Sequence, residues 1–491
     1  MTLIDILKLF FICVILILFP FGLYYYSGNN FYYFLFTIIS AYALITSFNE
    51  DSISFESFFS LLIWLGFWFK FTVQISFLNS QFPEGSGLFD YKPESFDKIL
   101  IISIISIFGF LLAKYVRLKF IFNYKNLNKS NFNIDNYLFF YLTYRKKIII
   151  IYFLLILFLS IINLIFVFFQ KGTVPETFLP YGINNIINWL LMFGFASLSS
   201  ILIFFEFSLK KKNSNNLLKY GIFETFISSI SVLSRAMIFN STSLAYGYYK
   251  LVELSNIKVN KINFLKFFLL IIILFLISLI VVSKLRQNKD FPIGHEVHSY
   301  IPKIKIEVGD TKNQKKLIPL IEETNKFLME FDQIIFLAAG RWVGIEGVMT
   351  VYSNENMGWK MFKKAFKDKF DYSNSFYENY IKGSKHSYKE NPRIYTVYVP
   401  GIVGFLYYTH SLLFLFLGIF TLCIICSYIE FVAFKVAKNN IVFSYLIGNV
   451  LAYRLIHFGY MPQSTYKILM AILINFILII VMFKLLDFLK K

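Results

Sequence analysis

Charge is scarce in this chain. Only 16% of its 491 residues are Asp, Glu, Lys or Arg, whereas 57% are hydrophobic and 20% aromatic. With a mean hydropathy of +0.61, the chain cannot fold around one soluble core, and it reads as a polytopic membrane protein. Cysteine is equally sparse: Cys13, Cys423 and Cys426 all fall in apolar stretches. Cys423-Ile-Ile-Cys426 has redox or metal spacing but no second ligand pair nearby, so it reads as small apolar residues in lipid. A small-residue cleavage site is missing after the first apolar run, which therefore reads as a span and not a removable signal. No repeat of roughly 20 to 50 residues is visible and the halves show no clear similarity, which leaves inverted-repeat transporters unsupported. The bias toward Ile, Phe, Lys, Asn and Tyr points to an AT-rich, most simply bacterial, genome.

What is present is apolar helix. Runs long enough to cross about 30 Å of hydrocarbon occur at 6–26, 31–47, 58–78, 99–120, 148–169, 184–206, 217–234, 237–255, 263–283, 401–429, 440–457 and 465–486. The expected fold is an all-α polytopic membrane protein with about 12 transmembrane helices: nine in 1–283, a polar segment over 284–400, and three more in 401–491. The pair at 217–255 has only the Ser234-Arg235 corner as a turn signal and could instead be one long bent helix. Positive flanks stay cytoplasmic. One orientation places 22 of the 48 basic residues inside and only Lys92, Lys98 and Lys171 in short outer loops. Both termini are then cytoplasmic and the long loop periplasmic. The acidic turn Glu50, Asp51, Glu56 also falls inside, a departure that acidic residues are allowed.

A net charge of +19 does not imply nucleic acid. Much of it serves topology, and the long loop balances 19 basic against 14 acidic residues, so no nucleic-acid partner is expected. Within that loop, 315–350 is apolar at helical spacing and predicts an amphipathic helix on the membrane or across a cavity mouth. A second helix near 356–370 carries Lys360, Lys363, Lys364 and Lys367 on one side, a solvated or headgroup-facing surface.

Charges at membrane depth are expensive and therefore informative. Lys70 lies in Trp64-Leu-Gly-Phe-Trp-Phe-Lys70, several residues below the outer surface, where it either snorkels to headgroups or binds substrate. Arg235 marks the outer corner of a helical hairpin. Arg454 and His457 are three apart and share a face. In the loop, Arg341-Trp-Val-Gly344 would put Arg341 and Gly344 on one helical face, and Glu346 is either a surface ion pair or a catalytic group. Several outward arginines call for an anionic partner, since guanidinium stays charged and donates in parallel to phosphate.

A dozen helices, one large loop before the last three, a Ser-Arg corner (Ser234-Arg235) and an Arg-x-x-Gly segment (Arg341 to Gly344) together resemble the bacterial O-antigen polymerase family, relatives of the O-antigen ligases. The resemblance covers most of the chain in architecture, and its motifs are short. It implies a glycosyltransferase in the bacterial inner membrane that joins oligosaccharide repeat units carried on undecaprenyl pyrophosphate. Its further partners would be membrane lipid, a flippase and a chain-length regulator. Arg235, Arg341, Arg454 and Lys70 would bind substrate, and the leaving pyrophosphate would be stabilised without metal or other cofactor. His457, His410 and Glu346 are candidates for deprotonating the acceptor hydroxyl. A ligase of the same superfamily and a flippase for lipid-linked sugars are the alternatives. A metal-dependent enzyme would be expected to carry carboxylates in the first outer loop, which here reads Ser27-Gly-Asn-Asn30.

Overall fold

The computed structural model describes residues 3–78, 80, 82, 86–124, 135–171, 175–210, 219–234, 238–255, 261–290, 340, 342–368, 376–382, 399–459 and 465–488. These residues form helices and connecting turns. The first nine helices are α1 (Leu3–Tyr25), α2 (Asn30–Thr46), α3 (Ser54–Phe77), α4 (Pro93–Ile121), α5 (Asp135–Phe166), α6 (Pro180–Leu209), α7 (Lys219–Ser231), α8 (Ile238–Leu254) and α9 (Lys261–Asp290). Two short helices follow from the long polar segment, α10 (Ile345–Tyr352) and α11 (Trp359–Phe366). The chain closes with α12 (Gly401–Tyr407), α13 (Leu412–Val436), α14 (Ile441–Ile456) and α15 (Thr465–Phe488).

Seven of these helices are long and apolar enough to cross a membrane, and α2, α14 and residues 269–282 of α9 are shorter apolar helices. This is the make-up of a polytopic membrane protein. The hairpin over 217–255 is two helices, α7 and α8. Leu233 has a left-handed φ of 50°, and the amide of Ser234 bonds back to the Ser229 carbonyl at 3.0 Å.

Two expectations are corrected. The run at 401–429 is not one helix: α12 stops at Tyr407, His410 turns left-handed with φ 55°, and the Ser411 side chain caps the new start of α13 by accepting from the Phe414 amide at 3.2 Å. The polar sequence Tyr408-Thr-His-Ser411 supplies its own turn and cap, which apolar run length does not register. The second correction concerns 315–350. Over Ile345–Val351 the chain does not lie on a membrane surface but is wholly buried, packed between α4 and α12. Residues 315–339 and 341 of that expectation lie outside the described residues. The lysine-bearing helix is α11, shorter than 356–370 because Gly358 precedes it with φ 148°.

Helix α14 is the centre of the bundle. It packs on α3, α6, α8 and α13, and nearly all its side chains are buried. Several of the polar groups around it are hydrogen-bonded. Asn440 caps α14 through the amides of Val442 and Phe443. At the bundle end opposite the long loop, called here the far end, Glu430 of α13 accepts from the amides of Ser54 and Phe55 at 3.0 and 2.7 Å. It thereby caps α3 from another helix, satisfying orphan N–H groups where the local sequence Ile53-Ser54 cannot. Gly448 leaves the space that Glu430 occupies, because a Cβ there would strike the carboxylate. Glu56, from the acidic turn, pairs with buried Arg117 (Nε–Oε1 2.9 Å), whose Nη1 also reaches the Asp51 and Phe122 carbonyls. Burial of this pair inside the helix junction accounts for Glu56 of the acidic turn.

Candidate functional site

The long polar segment re-enters the bundle at α3. There the helix widens into a π-helical turn over Leu65–Phe69, a feature that often accompanies functional sites. Gly66 within this turn meets Val343 and Gly344 backbone to backbone, so closely that a Cβ on either glycine would strike the other strand. One turn further, Lys70 is fully buried and donates three hydrogen bonds: to the Gly340 carbonyl (2.9 Å), the Trp342 carbonyl (2.9 Å) and Glu346 Oε2 (2.7 Å). Lys70 therefore does not snorkel. Its charge is neutralised inside the protein by Glu346, itself 1% exposed, which makes Glu346 a buried ion-pair partner and not a surface one. The two carbonyls it holds flank Arg341.

Gly344 is not on a helical face shared with residue 341, since it precedes α10 as a non-helical cap. From there α10 runs beneath α12, with Gly347 against the Pro400 carbonyl. Gly401 takes φ +70° beside the Ile456 carbonyl and a Val343 methyl, each 3.2 Å from where its Cβ would be. The clamp at α3 and the loop end of α14, the end that faces the long polar segment, are thus joined through Val343.

At that end of α14, Tyr453, Arg454 and His457 form one cluster. The Tyr453 and His457 rings stack with centroids 4.1 Å apart, and His457 Nδ1 lies 2.9 Å from the Tyr453 carbonyl. Lys171 sits 5.8 Å from the Tyr453 ring, and both Lys171 and Arg454 act electrostatically on His457. Val232 and Phe239 border this cluster: the Lys171 amide bonds to the Val232 carbonyl at 2.9 Å, and Phe239 packs its ring 5.5 Å from that of Tyr453. Asn449 fixes the start of α8 by donating to the Phe239 carbonyl at 2.7 Å.

Of the residues singled out in sequence, the structure pairs Lys70 with Glu346 and groups Arg454 with His457. His410 joins neither. It is exposed in the turn after α12, stacked on Tyr407. The surrounding protein holds its imidazole below the ordinary histidine value, opposed by a hydrogen bond with the Val351 backbone. Arg235 and Arg341 lie outside the described residues. Lys171 and Tyr453 were not foreseen; Lys171 read as loop charge, and only the stacking of Tyr453 at four residues from Lys-neighboured His457 reveals the cluster. Cys423 and Cys426 are free and buried in the protein interior on α13, where the sequence reading has them in lipid.

No protein-family model, curated protein or solved structure matches the chain.

Proposed function

We propose that the protein is a polymerase that joins oligosaccharide repeat units carried on undecaprenyl pyrophosphate at the periplasmic face of a bacterial inner membrane. The observation that carries this reading is the pair of cations Lys171 and Arg454 beside His457 at the loop end of α14, next to Val232 and Phe239. Arg235 and Arg341 are proposed to complete this site, since an anionic leaving group calls for several guanidinium donors.

In the proposed reaction the acceptor sugar hydroxyl attacks the anomeric carbon of the donor, and the bond to the lipid pyrophosphate breaks. Guanidinium groups stabilise the charge that develops on the departing phosphate, with no cofactor invoked. A neutral imidazole takes the hydroxyl proton; His457 adjoins the cations, whereas His410 lies at the far side of α12. Lys70 and Glu346 act by holding residues 340–346 in place, not by touching substrate. A flippase delivers the substrate and a chain-length regulator is a further partner. Deletion of the gene is expected to leave lipid-linked single repeat units unextended. Accumulation of finished polymer on its lipid carrier would instead identify a ligase, and single units retained on the cytoplasmic leaflet would identify a flippase.

A further inference from the structure

Helix α11 divides its surface into three sectors. At 3.6 residues per turn, Lys360, Lys363, Lys364 and Lys367 fall within roughly 100° of arc, and all four are exposed. Ala365 is buried on the opposite side, with Met361 and Phe362 packed against the core. Between these sectors lies an edge formed by Trp359 and Phe366, 53% and 50% exposed. A solvated helix would have no reason to present two large aromatic rings beside four lysines.

The neighbours of that edge say what covers it. The Trp359 ring packs 4.8 Å from Phe414, in the first turn of α13, a helix apolar enough to cross a membrane. Leu413, beside it in sequence, is 68% exposed, as a lipid-facing residue would be. The Gly358 amide bonds to the Tyr408 carbonyl at 2.7 Å, fixing α11 at this level. Trp359 and Phe366 therefore continue the apolar surface at the end of a span, where aromatic rings favour the water–hydrocarbon boundary. The adjacent lysines can lay their stems along that surface and reach the phosphate layer. Of the flanking acids, Glu355 is exposed, while Asp368 accepts from the Phe376 amide at 3.1 Å.

We infer that α11 is an interfacial helix whose Trp359–Phe366 edge is immersed in the bilayer and whose lysine face binds the phosphates of the surrounding phospholipids. The inference is independent of the glycosyl-transfer reading, because it concerns bilayer lipid and no reaction.

The test uses the full chain in liposomes containing lipids brominated at known depths, comparing wild type with W359F. Bromines near the glycerol level should quench a fluorescence component that is missing in W359F. Phosphatidylglycerol retention over phosphatidylcholine, counted by native mass spectrometry, should fall about tenfold or more in K360Q/K363Q/K364Q/K367Q, each lysine near an anionic surface contributing about fivefold. Equal quenching of wild type and W359F would place Trp359 in water and overturn the inference. An unchanged phosphatidylglycerol preference in the folded quadruple variant would overturn its phosphate half. A preference seen only for an added prenyl pyrophosphate would assign the lysines to that lipid and also overturn it.

Discussion

Replacing Lys70 by Met should release the re-entrant segment. The substitution removes three donated hydrogen bonds from a buried site: it takes the ammonium away from the Glu346 carboxylate and the Nζ donor away from the carbonyls of Gly340 and Trp342. Removing one member of a buried ion pair costs about 3–5 kcal/mol, because the other is left as an uncompensated charge. That shifts docking of residues 342–352 on α3 by on the order of 10²- to 10⁴-fold toward the undocked form. Adding Glu346→Met to Lys70→Met removes the carboxylate that lost its ammonium and leaves the loss of the Nζ donor at two carbonyls, at about 1–3 kcal/mol each. The double variant should therefore be more stable than K70M alone by at least about 1.5 kcal/mol. Glu346→Met alone should be milder than K70M, since Lys70 keeps two carbonyl acceptors. Hydrogen exchange of the amides over 345–352, followed by mass spectrometry on protein in detergent, reads docking directly, and thermal unfolding reads the whole molecule. Strictly additive effects of the two substitutions, or unchanged exchange in K70M, would refute the role given to this pair.

Other expectations follow from the same geometry. Gly66→Ala should destabilise the protein by about 1–3 kcal/mol through overpacking, with exchange over 342–352 accelerated as in K70M; an alanine that leaves that exchange unchanged would contradict the backbone crossing. Glu430→Leu, which strips two amides of their acceptor, should lower stability by about 1.5–3 kcal/mol without changing exchange in 345–352, because α3 is capped at the other end of the bundle. A reporter fused after Asn391 should be active in the periplasm and one after Lys491 in the cytoplasm; a cytoplasmic signal at Asn391 would reverse the orientation. Arg454→Ala should reduce polymer formation about 10²- to 10³-fold while the protein still inserts, and Arg454→Lys should restore only part, since lysine lacks the planar fork. Full activity in Arg454→Ala would remove Arg454 from the site.

The helices were legible because run length in apolar residues is a one-dimensional property. Each expected run is met by helix over most of its length, save the break after Tyr407. That break was illegible to hydropathy because Tyr and Thr are apolar enough to continue a run while Ser411 and His410 end it by hydrogen bonding and left-handed backbone. The isolated lysine in an aromatic helix was legible as unusual, but its partner was not: Lys70 and Glu346 are 276 residues apart, and only the fold brings them together. The same holds for Glu430, whose role as a cap for α3 depends on the space left by Gly448. Arg454 and His457 were readable as one face from their spacing. Lys171 was not, since a lysine in a short loop carries the same signal whether it marks topology or borders a site.

The most direct test of the proposed activity is polymerisation by the purified protein in liposomes supplied with undecaprenyl-pyrophosphate-linked oligosaccharide, read as a ladder on a gel. A ladder of extended chains is predicted from wild type, unchanged by chelator and reduced to a trace of short products in Arg235→Ala and Arg341→Ala. Full-length ladders from both variants, or a wild-type activity lost with chelator and recovered with a divalent ion, would contradict the arginine mechanism, and no ladder from correctly inserted wild type would contradict the function itself.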